Sequence, residues 1–205
     1  MLGLFKKKKA LVIVDVQNDF LPGGALAVPK GDEVVPVINK LQPDYDLVVA
    51  TKDLHPPRHC SFASTHSGHR VGDRVDLERG SQLLWPDHCV KGTKGAEFAP
   101  GLQSAKVAKV FEKGIDADID SYSALYDNDR GRATGLEDYL KQQKIGEVHI
   151  VGLATDYTVK YTALDCQKAG FKTHVILEGC RGIDSNAGDV SRAVQEMKNA
   201  GVQVK

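Results

Sequence analysis

The sequence predicts an α/β fold of three layers, α/β/α, with a mainly parallel sheet of about six strands. Two observations carry that expectation. Short β-branched runs recur along the chain, several of them apolar without alternation, as strands buried on both faces are. Helix-patterned segments separate them, and such alternation gives parallel sheets with right-handed crossovers. The length of 205 residues suits one domain spanning 1–205. No internal repeat, low-complexity tract or linker interrupts it.

The first strand is Ala10–Val16, apolar throughout except for Asp15. Before it runs Lys6 to Lys9, which reads as part of a basic, flexible tail over 1–9. A secretory leader is a poorer reading, because the apolar run is short, contains a carboxylate and precedes no small-residue cleavage site. Asp32–Leu41 follows as a helix and Leu47–Lys52 as the second strand. Val107–Glu112 is the third, and Leu136–Lys144 a second helix. Val148–Leu153, the helix Asp156–Ala169, the strand Thr173–Leu177 and the helix Gly188–Ala200 complete the alternation. Between the second and third strands lie about fifty residues rich in His, Gly, Pro, Asp and Arg. Connections of that length are functional or disordered, and one holding Trp85, Phe62 and five of the seven histidines reads as functional.

Charge sets the partner classes. Lysine plus arginine and aspartate plus glutamate each number 27, so the formal net charge is zero. That argues against broad electrostatic capture of nucleic acid or of an anionic membrane. No stretch approaches transmembrane length. The four cysteines, Cys60, Cys89, Cys166 and Cys180, form no CxxC pair. They read as free thiols of a reducing compartment, which places the chain in the cytoplasm.

Sites in parallel sheets form beyond the carboxyl ends of the strands. Polar residues just past those ends are Asp15, Asp53, Lys113 and the turn Thr155–Thr158. Asp53-Leu54-His55 sets a carboxylate and an imidazole two residues apart, and Trp85-Pro86-Asp87-His88 adds an imidazole in a proline-marked turn. Such donors suit Zn, Mn or Fe(II), although a loop of surface residues gives the same pattern. His59 and His66 are further donors in the same segment. Asp15 reads either as a turn-forming aspartate or as a general base whose pKa is tuned by a cation, with Lys113 as that cation. Lys113 also reads as a solvated terminal lysine. Thr158 falls near a helix N-terminus, whose free amides can hold an oxyanion. Thr155 and Asp156 read equally well as ordinary N-caps.

Five segments carry a resemblance. Ile13-Val14-Asp15-Val16-Gln17-Asn18-Asp19-Phe20 with Pro22-Gly23-Gly24-Ala25-Leu26 is the first, and Lys52-Asp53-Leu54-His55-Pro56 with Ser61-Phe62-Ala63 the second. The others are Trp85-Pro86-Asp87-His88-Cys89-Val90, Phe111-Glu112-Lys113-Gly114 with Asp120-Ser121-Tyr122-Ser123-Ala124, and Gly152-Leu153-Ala154-Thr155-Asp156-Tyr157-Thr158-Val159-Lys160. In this order, from about Ala10 to Gly201, the chain resembles the pyrazinamidase/nicotinamidase group of the isochorismatase-like cysteine hydrolases. The resemblance implies the Rossmann-like fold of that family and a catalytic triad of Asp15, Lys113 and the residue at 158. It implies one divalent metal, zinc first with manganese or iron as alternatives, on Asp53, His55 and His88; some relatives use a histidine near His59, which leaves open whether His59 is a further ligand. Phe20, Trp85 and Tyr122 are implied as aromatic walls around the substrate ring. The amides of Ala154 and Thr158 are implied as an oxyanion hole, with a cis peptide near Leu153–Ala154.

The implied activity is hydrolysis of nicotinamide to nicotinate and ammonia, a step of NAD salvage, extending to pyrazinamide. The partners expected are that small molecule and, at most, further copies of the chain. Position 158 departs from the family, where it is cysteine. A threonine hydroxyl is far more basic than a thiol, so turnover should be absent or severely impaired. The threonine is either an engineered replacement or natural to a nicotinamide-binding pseudoenzyme. Another reading is a hydrolase of a different small carboxamide. Cys166, eight residues on in the predicted helix, stands roughly 12 Å from position 158 and cannot substitute.

Overall fold

The computed structural model describes residues 7–205. Its strands are β1 (Lys8–Val14), β2 (Leu47–Asp53), β3 (Arg74–Leu77), β4 (Gly80–Leu83), β5 (Lys109–Lys113), β6 (Ile145–Leu153), β7 (Lys172–Arg181) and β8 (Gln203–Val204). The α-helices are α1 (Val34–Leu41), α2 (Leu136–Gln142), α3 (Lys160–Lys168) and α4 (Asp189–Asn199). Six strands form one sheet in the order β5-β2-β1-β6-β7-β8, and every pairing in it is parallel.

Alternation along β1 sorts the two helical layers. Leu11 and Ile13 point into a cluster with Val34, Val35 and Ile38 of α1. Val12 and Val14 point the other way, toward Leu140 of α2, Ala163 of α3 and Met197 of α4. A strand buried on both faces must be apolar at every position, which is why the run carries no period of two. Burying each such Leu, Ile or Val side chain contributes about 1.5–3 kcal/mol.

The order of strands reverses between β1 and β6. Chain leaving β1 moves toward β2 and β5 on one side, and chain from β6 moves toward β7 and β8 on the other. Such a switch point opens a crevice above the carboxyl ends. Asp15 follows β1 there, and the turn Thr155–Val159 follows β6.

Several expected bounds shift. β1 begins at Lys8, where Lys8 and Lys9 pair with Ile145 and Glu147 of β6, so the end of the basic run is strand. Of the rest of the expected tail, Lys7 is exposed and outside the strand, and residues 1–6 lie outside the described residues. β1 ends at Val14 because Asp15 adopts φ +48°, a left-handed conformation that aspartate tolerates better than most residues. β5 runs to Lys113, one residue beyond the predicted end. β8 pairs with β7 at Val175 and was not expected. The long His-rich segment is ordered, and it holds the antiparallel hairpin β3–β4. No helix among the described residues is long and apolar enough to cross a membrane.

The helix expected from Asp156 begins instead with a π-helical turn over Thr155–Val159, and α3 proper starts at Lys160. Such turns insert an extra residue into helical winding and concentrate at functional sites.

Candidate active site and metal centre

Asp15 is fully buried, and its surroundings account for each oxygen. Thr51 Oγ1 on β2 donates to Oδ1 at 2.5 Å, and Lys113 Nζ stands 2.9 Å from Oδ2. The same ammonium donates to Asp53 Oδ1 at 2.5 Å and to the Ser121 carbonyl at 2.9 Å. Lys113 thus bridges two carboxylates from neighbouring strands, with its side chain almost wholly out of water. Burial alone would strip its charge, but the two carboxylates outweigh burial and keep it protonated. For Asp15 burial prevails over Lys113, and with the added repulsion of Asp53 the carboxyl rises to about 6. For Asp53 burial also pushes upward, but Lys113, His55 and His88 together outweigh it and hold the pKa below the usual carboxylate value.

Asp53 turns its second oxygen toward two imidazoles. His55 Nε2 lies 3.7 Å from Asp53 Oδ2 and His88 Nε2 4.0 Å from it. Each ring is aimed from behind by its other nitrogen: His55 Nδ1 donates to the Gly114 carbonyl and His88 Nδ1 to that of Pro86, both at 2.8 Å. That leaves both Nε2 lone pairs facing the carboxylate, the tautomer a metal requires. His55 Nε2 is buried without a hydrogen-bond partner, and burial pushes the His55 pKa down to about 4, so the ring is neutral. The three donor atoms lie within 4.8 Å of one another. An orphaned imidazole nitrogen beside a carboxylate of low pKa fits a divalent cation, with coordination positions left for other ligands. Gly114 makes the arrangement possible: a Cβ there would lie 2.5 Å from His55 Cε1.

His59 is placed differently. Its Nδ1 accepts from Ser61 Oγ at 2.7 Å and its Nε2 reaches the Ile119 carbonyl at 3.2 Å, so both nitrogens are engaged within the protein. The ring packs 4.2 Å from that of His55 and belongs, with Asp120, to a second potential donor group behind the first. His66 is spent on the Cys60 carbonyl.

Above this floor opens a pocket lined by Phe20, Asp53, Trp85, His88, Tyr122, Ala154 and Thr158 among others. All four residues expected to touch substrate therefore share one wall system with Asp53 and His88 of the candidate metal ligands. Trp85 Nε1 donates to Tyr122 Oη at 3.1 Å, fixing two of the aromatic walls to each other. Tyr157, which was not singled out, adds an edge 5.0 Å from Trp85. The Leu153–Ala154 peptide is cis. Thr155 and Asp156 do not act as N-caps: neither helical turn here has a side-chain cap. The Asp156 carboxylate instead accepts from the amides of Ile183 and Asp184, tying the loop after β7 to the pocket rim.

Two supporting residues had only their place in the motifs to recommend them. Gln17 takes both backbone groups of Asp53, accepting from its amide and donating to its carbonyl, and so locks the end of β2 beside β1. Asp19 Oδ2 accepts from the Cys89 amide at 2.7 Å and holds the loop that carries His88. Neither remaining thiol near the site is activated. Burial pushes Cys89 far up, and Cys166 is sealed in the core on the other side of the sheet with a pKa likewise raised.

The isochorismatase domain matches residues 9–205. The chain belongs to the isochorismatase family. Within the family it is 48% identical over 194 residues to a nicotinamidase of Acinetobacter baylyi, covering 95% of this chain and 90% of that one. It is 46% identical over 197 residues to the Escherichia coli nicotinamidase, with 94% and 92% covered. A solved Acinetobacter baumannii nicotinamidase/pyrazinamidase superposes with TM-score 0.93 at 46% identity, covering 98% of this chain and 96% of that chain. The yeast nicotinamidase bound to the inhibitor nicotinaldehyde gives 0.90 at 34% identity, with 96% and 98% covered. Pyrococcus horikoshii pyrazinamidase in complex with zinc gives 0.78 at 36% identity, with 97% and 98% covered. The isochorismatase-family chain thus has its fold in common with solved nicotinamidases and pyrazinamidases.

Proposed function

We propose that this chain is built as a nicotinamidase, converting nicotinamide to nicotinate and ammonia and accepting pyrazinamide, with its nucleophile position occupied by Thr158. The observation that carries the reading is the Asp15–Lys113–Asp53 bridge beneath a pocket lined by Thr158, Asp53 and His88, with His55 grouped behind those two donors. The names of the relatives support the substrate class, and the zinc of the Pyrococcus horikoshii relative supports zinc at the metal site.

Asp53, His55 and His88 would hold the metal, which supplies an electrophilic anchor for the pyridine nitrogen. Phe20, Trp85 and Tyr122 stack around the ring and exclude water. With cysteine at 158, Asp15 Oδ2 accepts the thiol proton and the thiolate adds to the carboxamide carbon. The C–N bond then breaks, and Asp15 returns the proton to the departing ammonia. Water cleaves the thioester, giving the acid and the free thiol. Lys113 keeps Asp15 oriented and offsets the negative charge it carries. Threonine in that role must surrender a far less acidic proton to the same carboxylate, and its methyl crowds the attacking position. The chain with Thr158 is therefore a binding protein with residual turnover at most.

The test compares ammonia release from nicotinamide by the chain with Thr158 and by Thr158→Cys. Turnover confined to the cysteine form, at least a hundredfold above the threonine form, is expected. Absence of turnover in both, with nicotinamide still bound, would favour a binding protein whose catalytic apparatus has decayed. Absence of both turnover and binding would reopen the substrate to other small carboxamides.

A further inference from the structure

At the opposite end of the sheet from the pocket lies a second cluster of metal-ligating side chains that the reaction does not use. Glu147 and His149 alternate along β6 and so share a face, and His149 is registered against His174 on β7. Four residues separate His149 from Leu153 at the pocket end of β6, about 13 Å along the strand. The cluster stands on the sheet face covered by α1, near the amino ends of the strands.

His174 is the telling residue. Its side chain is 1% exposed, and neither ring nitrogen has a hydrogen-bond partner. A buried imidazole with both nitrogens idle loses its hydration without return, a cost the fold tolerates only where something else compensates. Its Nε2 lies 3.3 Å from Glu147 Oε1, and His149 Nε2 lies 2.7 Å from the same oxygen. The three donors fall within 4.8 Å of one another. Tetrahedral zinc, at about 2.0–2.2 Å from N and O donors, sets its ligand atoms roughly 3.3 Å apart, so small side-chain shifts suffice.

The supporting contacts match those of a ligand set. His149 Nδ1 meets Tyr45 Oη at 2.7 Å, which fixes the ring with Nε2 turned to the cluster. Lys172 Nζ holds the other carboxylate oxygen, Glu147 Oε2, at 3.1 Å and leaves Oε1 to face the imidazoles. The carboxylate is partly exposed and gives an entry route from solvent. Positive charge surrounds the cluster: Lys172 binds it directly, and the Lys9 and Lys205 ammonium groups act on its histidines. Those cations weaken binding, and they make an affinity below that of the Asp53 site the natural expectation.

We infer that Glu147, His149 and His174 form a second divalent-metal site, of the His₂-carboxylate class that takes zinc or cobalt, which pins β6, β7 and the Tyr45 loop together. On binding, His149 Nε2 releases its proton contact with Glu147, the remaining ring proton sits on Nδ1, and Tyr45 Oη becomes its acceptor. The inference does not depend on the activity proposed above.

The experiment is equilibrium dialysis of the full-length, metal-stripped protein against Co²⁺ and Zn²⁺, with the d–d spectrum of bound Co²⁺ recorded. Two equivalents are expected. His88→Ala should lose one and keep the other, whereas Glu147→Gln and His174→Asn should each do the reverse and weaken the second equivalent at least tenfold. Glu147→Gln is the safer variant, since that side chain is partly exposed and its loss should not disturb the core. Lys172→Ala should tighten the second equivalent severalfold, a change that a purely structural hydrogen-bond network would not produce. A single equivalent abolished by His88→Ala would overturn the inference, as would a second equivalent indifferent to Glu147→Gln, His174→Asn and Lys172→Ala.

Discussion

A carboxylate sealed from water favours its neutral form, and Asp15 shows how far one ammonium can oppose that. Burial and the neighbouring Asp53 carry its pKa to about 6 despite the Lys113 ammonium 2.9 Å away. The base form is the one that accepts the nucleophile's proton, so activity must be lost as pH falls through that value. In Thr158→Cys protein we expect log kcat/KM to drop by one for each pH step below about 6, read from initial rates across pH 4.5–8. An unbroken plateau down to pH 5 would remove Asp15 from the role of base. Lys113 offers a second test at the same scale. Replacing it by methionine leaves two buried carboxylates facing each other with no cation between them. Breaking a buried ion pair from one side costs roughly 3–5 kcal/mol. Urea unfolding of Lys113→Met should register a loss in that range, eased at low pH where one carboxyl takes up a proton.

Elements were legible in the sequence to the degree that burial stamped them with a pattern. The central stretches of β1, β2 and β6, at 10–14, 47–50 and 150–153, are apolar because helices cover both faces, and their positions follow directly. The hairpin β3–β4 left a fainter trace. Arg74-Val75-Asp76-Leu77 alternates only once over, and its four residues are too few to stand out in a polar loop. β8 is two residues long and exists only by pairing with β7. The π turn at Thr155–Val159 has no signature that separates it from an ordinary helix start. Donor identities at the site were readable because residue type and strand-end position constrained them. Its convergence was not, since His88 reaches Asp53 across a chain separation that only the folded loop closes. The close approach of β1 to β6 depends on a further residue, Gly152. Its φ is +120°, and a Cβ there would sit 2.1 Å from the Val14 carbonyl oxygen. Gly152→Ala should therefore push the two strands apart beneath the pocket, costing roughly 2–5 kcal/mol from strain and overpacking. Chemical denaturation measures it, and a loss below 1 kcal/mol would show that the strand ends adapt.

Across the whole molecule, the sheet gathers charge at its carboxyl end that folding alone would disfavour. Asp15, Asp53, Lys113, His55 and His88 are all buried there, and the orphaned His55 Nε2 marks a cost left open by the protein itself. A cation bound only by the folded state offsets that cost through mass action, by about 2.7 kcal/mol at a hundred times its dissociation constant. For a chain of 205 residues this corresponds to a Tm shift of roughly 5–10 °C. Removing metal with a chelator should thus lower the Tm by that amount. The measurement belongs in Glu147→Gln protein, so that only the pocket's site responds. Nicotinamide affinity, followed by calorimetry in the same samples, should fall with it, because two of the three donors, Asp53 and His88, border the space the ring would occupy. A fall in Tm with unchanged nicotinamide affinity would make the metal a structural tie between β2 and the His88 loop. A fall in both would make it part of how the pocket recognises its ring, with stability and recognition drawn from the same three side chains.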